Sequence, residues 1–159
     1  MGLSKKIVGM HYRHPDHYVV GREKIREYAI AVKNDDMAYY DEKAAAELGH
    51  GQLPAPLTFI SVFGYQAQTA FFESANIGVT DMQIVQVDQV LKFRRPIHAG
   101  DTLYCDVYVD SVRKSHGTDI IVTKNIVTND SGDVVQESYT TLAGRSSEDG
   151  DEGFSDGTA

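Results

Sequence analysis

The 159-residue sequence predicts an α+β domain, one curved antiparallel sheet wrapped around a single long helix, and three observations lead there. First, Pro56 to about Asn76 runs without an internal proline for about five or six helical turns. Its apolar residues Leu57, Phe59, Ile60, Val62, Phe63, Ala67, Ala70 and Phe71 leave only a narrow polar seam at Ser61, Gln68 and Glu73. Such a helix is expected to be buried on nearly every side. Second, no helical pattern recurs between Met82 and Gly144, where four strand-like runs alternate with turn residues. Third, Lys114-Ser115-His116-Gly117 and Asn129-Asp130-Ser131-Gly132 are hairpin turns, which join the last three strands into a meander. Long twisted strands curl, and a curled sheet offers a concave face to the helix.

Taken in order, Lys5 to Val20 carries His11, His14 and His17 at a spacing of three. Pro15 forbids a regular helix through them, and in an extended chain His14 points away from the other two, so they are expected to be surface or structural histidines and no metal site. His17 to Val20 reads as a short strand broken by Gly21. Arg22 to Lys33 follows, with Ile25, Tyr28, Ala29 and Val32 on one helical face. A second helix, Asp41 to Leu48, begins on a capping aspartate and ends at Gly49. The strands are then Met82–Phe93, ended by Pro96, and Leu103–Val112, Asp119–Thr128 and Val134–Ala143.

At 42% hydrophobic the chain supports one ordinary core, placed in residues 1–145. Cys105 alternates with Leu103 and Val107 as a strand core residue, hence an inert buried thiol. The net charge of −8 argues against a nucleic-acid partner. Much of it lies in Glu148, Asp149, Asp151, Glu152 and Asp156, in a Gly/Ser-rich tail (146–159) whose only large apolar side chain is Phe154; this tail is expected not to order itself. Gln66, Gln68 and Glu73 interrupt the one long apolar stretch, and no signal-peptide pattern opens the chain, so no membrane span and a cytoplasmic location are expected. Residues 82–144 hold no phosphate loop, metal-ligand cluster or paired nucleophile, so no cofactor is implied.

Chemistry must therefore come from the front half. Between the two short helices, Asn34-Asp35-Asp36-Met37-Ala38-Tyr39-Tyr40 crowds acids and tyrosines into a turn, most simply as turn, cap and anchor residues. In the strands, Asn125 is a polar residue among Ile120, Ile121, Val122, Ile126 and Val127. Buried polar side chains need partners. For Ser61, Tyr65 and Asn125 the partner is either an internal group, or a ligand or second subunit. Gly64 inside the long helix costs roughly 1 kcal/mol relative to alanine, which points to needed space beside it, either a ligand channel or close packing of a strand or partner helix.

These elements in this order resemble the hot-dog fold of the MaoC-like and (R)-specific hydratase families. Ile97-His98-Ala99-Gly100-Asp101 matches the family's turn after the first long strand, and Ala55-Pro56-Leu57-Thr58-Phe59 resembles the helix entry of its non-catalytic halves. The family's catalytic motif is G-D-x-N-P-x-H, whose aspartate and histidine, five residues apart, eliminate water from a 3-hydroxyacyl thioester: one group takes the C2 proton and the other protonates the departing hydroxyl. Here Asp35 keeps the acid's place and Tyr40 stands at the histidine's, with an ordinary phenol pKa of about 10 that makes it a poor base. Pro54 and Pro56 remove two N–H groups where the family stabilises the thioester oxyanion. The resemblance thus implies no complete catalytic set and a non-catalytic subunit of a heteromeric (3R)-hydroxyacyl-ACP dehydratase of type II fatty acid synthesis. Its partner would be a catalytic hot-dog subunit with the intact Asp/His motif, and its substrate a long-chain acyl group on acyl carrier protein, lined by Ser61, Gly64, Tyr65 and Asn125. The alternative is a homodimeric acyl-thioester-binding module without chemistry.

Overall fold

A computed structural model describes residue 3 and residues 5–79, 83–146 and 153–156. The elements are β1 (His11–Arg13), β2 (Tyr18–Val19), α1 (Arg22–Ala31), α2 (Glu42–Glu47), α3 (Ser61–Ser74), β3 (Ile77–Val79), β4 (Ile84–Phe93), β5 (Thr102–Ser115), β6 (Thr118–Asn129), β7 (Val134–Arg145) and β8 (Phe154–Asp156), with 3-10 turns at Lys5–Ile7 and Met37–Tyr39. Strands β5, β6 and β7 form the expected antiparallel meander. The complete order is β1-β5-β6-β7-β4, with β2 also on β5, so β4 comes first of the long strands in sequence but pairs at the far side on β7. The β5–β6 turn is made by His116 and Gly117 at φ 49° and 72°, the paired left-handed conformation of a tight hairpin.

Inward positions of the meander, among them Leu103, Cys105, Val107, Ile121 and Val127, meet Phe63, Ala67, Phe71 and Phe72 of α3 to form the core. Burying each large apolar side chain contributes roughly 1.5–3 kcal/mol before the entropy of ordering it. Cys105 is part of this core, and burial pushes its thiol pKa up to about 12. His14 turns inward to meet the edge of the Phe63 ring, with centroids 5.7 Å apart, whereas His11 and His17 are exposed.

The central helix differs from expectation twice. It begins at Ser61, not Pro56, and so spans 14 residues. Residues 57–60 make tight turns instead: Phe59 N–H donates to Pro56 O (2.9 Å) and Ser61 N–H to Thr58 O (3.0 Å). The Thr58 carbonyl also accepts the hydroxyls of Tyr28 (3.0 Å) and Ser61 (2.7 Å), which draws it away from the helical ladder. Nor is the helix buried all round. Phe63, Ala67, Phe71 and Phe72 are buried, but Ser61, Tyr65, Thr69 and Glu73 are exposed, because the sheet wraps only one side of it.

The tail departs further from expectation. Phe154 is fully buried, and β8 pairs antiparallel with β3, Phe154 opposite Val79 and Asp156 opposite Ile77. One aromatic suffices because glycines clear its seat: a Cβ on Gly144 would stand 2.6 Å from the Phe154 ring, and one on Gly153 would stand 2.7 Å from Gly144 Cα. Met82 and residues 147–152 lie outside the described residues.

Candidate functional site

The open face of α3 looks into a groove of about 790 Å³, within the range of small-molecule sites. One wall is the helix, from Ser61 through Gly64, Tyr65 and Gln68 to Glu73. At 1.5 Å per residue that wall is about 18 Å long. The opposite wall is the sheet, with Asn125 and Val127 of β6, Ser138, Thr140 and Leu142 of β7, and Gln86 and Gln89 of β4; Ile77 and Val79 of β3 stand at the far end. Ser61, Gly64, Tyr65 and Asn125, separated by up to 64 positions in the chain, therefore meet in one groove.

Their chemistry differs. Ser61 already donates its hydroxyl to Thr58 O (2.7 Å), and Tyr65 is 71% exposed at the rim. Neither needs a ligand to satisfy a buried group. Asn125 is 4% exposed on the inward face of β6. Its Nδ2 lies 3.5 Å from Gly64 O, a long contact, and its Oδ1 is buried without a hydrogen-bond partner. An orphaned acceptor at the wall of a groove is a place for a donor on a ligand or partner chain. A Cβ on Gly64 would meet Asn125 Nδ2 at 3.5 Å, ordinary contact, so the space beside Gly64 is the Asn125 amide and, past it, the groove.

The groove's polar sheet wall was missed from sequence. Ser138, Thr140 and Leu142 alternate along β7, and Gln89 Nε2 approaches Thr140 Oγ1 at 3.4 Å. Glu137 to Thr141 is polar at every position, so no alternation marks which side chains face the groove; that is set by pairing with β6 and β4.

The acid-and-tyrosine turn is arranged otherwise. Asp36 caps the 3-10 turn, its carboxylate accepting from Ala38 N–H (3.0 Å), and Asp41 caps α2 through Ala44 N–H (3.0 Å). Tyr40 sends its hydroxyl back to the Asn34 carbonyl, which staples the turn, and Asp35 is exposed. Tyr40 thus commits its one hydroxyl proton to a backbone carbonyl, and a neutral phenol oxygen is a poor base. At the helix entry, Ala55 N–H donates to Ile97 O (2.7 Å) between two prolines, so positions 54–56 direct no N–H at a ligand. The Ile97–Asp101 turn ties this entry down, with Ala99 N–H on Leu53 O (2.9 Å) and Gly100 N–H on Val20 O (2.8 Å).

Beside the turn lies a smaller cavity of about 340 Å³, bordered by Tyr39, His50, Pro54, Leu57 and Phe93. His50 Nδ1 and His98 Nε2 are 2.9 Å apart there. Burial lowers the His98 pKa against the raising effect of Asp101, and His50 lowers it further. Among the described residues no group of three or more His, Cys, Asp or Glu side chains could hold a metal ion, and no helix is long and apolar enough to cross a membrane.

Three comparisons place this geometry. The family model described as "FAS1-like, dehydratase domain region" matches residues 6–138. A UPF0336 protein of Mycobacterium tuberculosis is 73% identical over 159 residues, all of both chains. Among solved structures, a C-terminally truncated HadBC (3R-hydroxyacyl-ACP dehydratase) complex from Mycobacterium tuberculosis matches at 47% identity and TM-score 0.80, covering 87% of this chain and 97% of that one. A MaoC-like dehydratase matches at 38% identity and TM-score 0.82, covering 91% of this chain and 44% of that one.

Proposed function

The chain belongs to the family of FAS1-like dehydratase domain regions, with the hot-dog fold of MaoC-like dehydratases, and from that premise we propose that it is the non-catalytic, substrate-binding subunit of a heteromeric (3R)-hydroxyacyl-ACP dehydratase. The observation that carries this reading is the state of Tyr40. Its hydroxyl is spent on Asn34 O, in the position where a catalytic relative needs a histidine facing substrate. The groove along α3 is retained, and it receives the long acyl chain, with Gly64, Ser61 and Tyr65 on the helix side and Asn125 opposite. Binding energy gathered along a remote chain orients the reacting C2–C3 bond, whose proton and hydroxyl are removed by the aspartate and histidine of a catalytic partner.

The partner docks on β4. This strand is hydrogen-bonded to β7 along one side, and Val85, Val87, Val90 and Phe93 are 60%, 57%, 44% and 46% exposed. A long apolar edge strand is a template for another chain, and a second hot-dog adding its own strand there continues the sheet. The substrates are long-chain 3-hydroxyacyl groups on acyl carrier protein in type II fatty acid (mycolic acid) synthesis. Identity of 47% to the HadBC structure, against 73% to the UPF0336 relative, supports a subunit of the A type over the C type.

Reconstitution tests the reading. The purified chain alone is expected to neither hydrate nor dehydrate an acyl thioester. Adding a hot-dog subunit with the intact Asp/His motif should give turnover on long acyl chains. Turnover by the isolated chain at the rate of the mixture overturns the proposal.

A further inference from the structure

We infer that the C-terminal strap, Gly153 to Asp156, closes the far end of the groove, and that Phe154 sets how long an acyl chain the groove admits. The inference rests on the reading of the groove as an acyl site. At that end the groove meets Phe72, Ile77 and Val79. Each is held from behind by the strap. The Phe154 ring lies 6.1 Å from that of Phe72, and β8 pairs residue for residue with Ile77–Val79. Strand β3 is only three residues long and has β8 as its sheet partner, so the strap keeps the end wall in place.

The seat under the strap is built for close approach. Gly153 N–H donates to Arg145 O (2.8 Å); a Cβ on Gly153 would collide with the Gly144 and Gln83 backbone, and one on Gly144 with the Phe154 ring. Neither glycine has a positive φ, so what they supply is clearance and not backbone freedom. With Phe154 fully buried against them, the Phe72 ring has no room to swing back from the groove. A chain that reaches Phe72 therefore meets a wall two aromatic rings thick. Phe154 touches no substrate; it acts through Phe72 and β3, as a positioning residue for specificity.

The test is an acyl-chain-length profile of kcat/KM for the reconstituted complex, comparing the unaltered chain with Phe154→Ala and Gly144→Ala. The first removes the plug, and the second pushes it off its seat. Both variants are expected to move the cutoff to longer chains, with a gain of about tenfold in the long-to-short ratio for chains just beyond the original limit, the usual discrimination for a methylene or two in an apolar pocket. Phe154→Leu, a shorter plug, serves if the other two fail to assemble, and should give a smaller shift in the same direction. An unchanged cutoff in an assembled complex with a lowered melting temperature means that the strap is only structural, and overturns the inference. Gly64→Leu in the same assay separates the two levels: if it blocks long chains while the Phe154 variants leave the cutoff fixed, the acyl groove stands and the strap inference falls. If no variant alters the profile, the groove reading itself falls.

Discussion

The groove along α3 and the turn from Asn34 to Tyr40 treat their polar groups in opposite ways. In the turn three polar side chains have internal partners and Asp35 faces solvent: Asp36 caps, Tyr40 closes onto Asn34 O, and Asn34 Oδ1 accepts from Asp36 N–H (3.1 Å). In the groove, Asn125 Oδ1 is buried and unmatched, and a glycine sits opposite it in the first turn of α3. Satisfied polar groups stabilise a local fold, and an unsatisfied one destabilises it unless something arrives from outside. On the proposed reading the difference teaches that the turn serves as scaffolding, while the groove is held open for binding.

The largest expected effect comes from filling the groove. Gly64→Leu sends a branched side chain toward Asn125 and the space past it. Long-chain turnover of the assembled complex should fall by about tenfold or more, at least 1.4 kcal/mol of lost transition-state binding, and short-chain turnover by less. Measuring complex formation by gel filtration alongside both rates sharpens the contrast. Long-chain activity that survives in an intact complex removes Gly64, Ser61 and Tyr65 from the site.

Next comes Asn125→Leu, which replaces the orphaned acceptor with an apolar side chain of similar length. The isolated chain should gain about 1 kcal/mol of stability, read as a rise of a few degrees in Tm, because an unmet desolvation cost disappears. KM for long acyl thioesters should rise. A loss of stability instead would show that Asn125 serves the fold and not a ligand.

Smaller still is Tyr40→Phe, which deletes the hydroxyl contact to Asn34 O and should cost about 1 kcal/mol of stability. It marks the turn as structural.

The sequence made the strands legible because their inward positions alternate with period two, and the hairpin turns because His116-Gly117 and Asn129 to Gly132 carry turn chemistry. Asn125 stood out as a polar break in such an alternation. Other features depend on contacts distant in the chain. The late start of α3 follows from the Thr58 carbonyl being claimed by Tyr28, 30 residues earlier. The open helix face follows from β4 joining the sheet beyond β7, an order that local pattern does not contain. The docking of Phe154 was hidden by an acidic, glycine-rich neighbourhood whose composition argues against order, whereas its seat is made by Gly144 in another strand. Asp35 and Tyr40 were legible as a motif, but the direction of the Tyr40 hydroxyl is a property of the folded turn alone.

The most direct test of the contrast between turn and groove is the turnover number of the reconstituted complex when this chain carries Asp35→Asn together with Tyr40→Phe. With chemistry supplied by the partner, the double variant should retain activity within about twofold of the unaltered complex, less than 0.5 kcal/mol in the barrier. A fall of about a hundredfold or more, the scale on which general acid–base groups act, would contradict the account and return the turn to the active site.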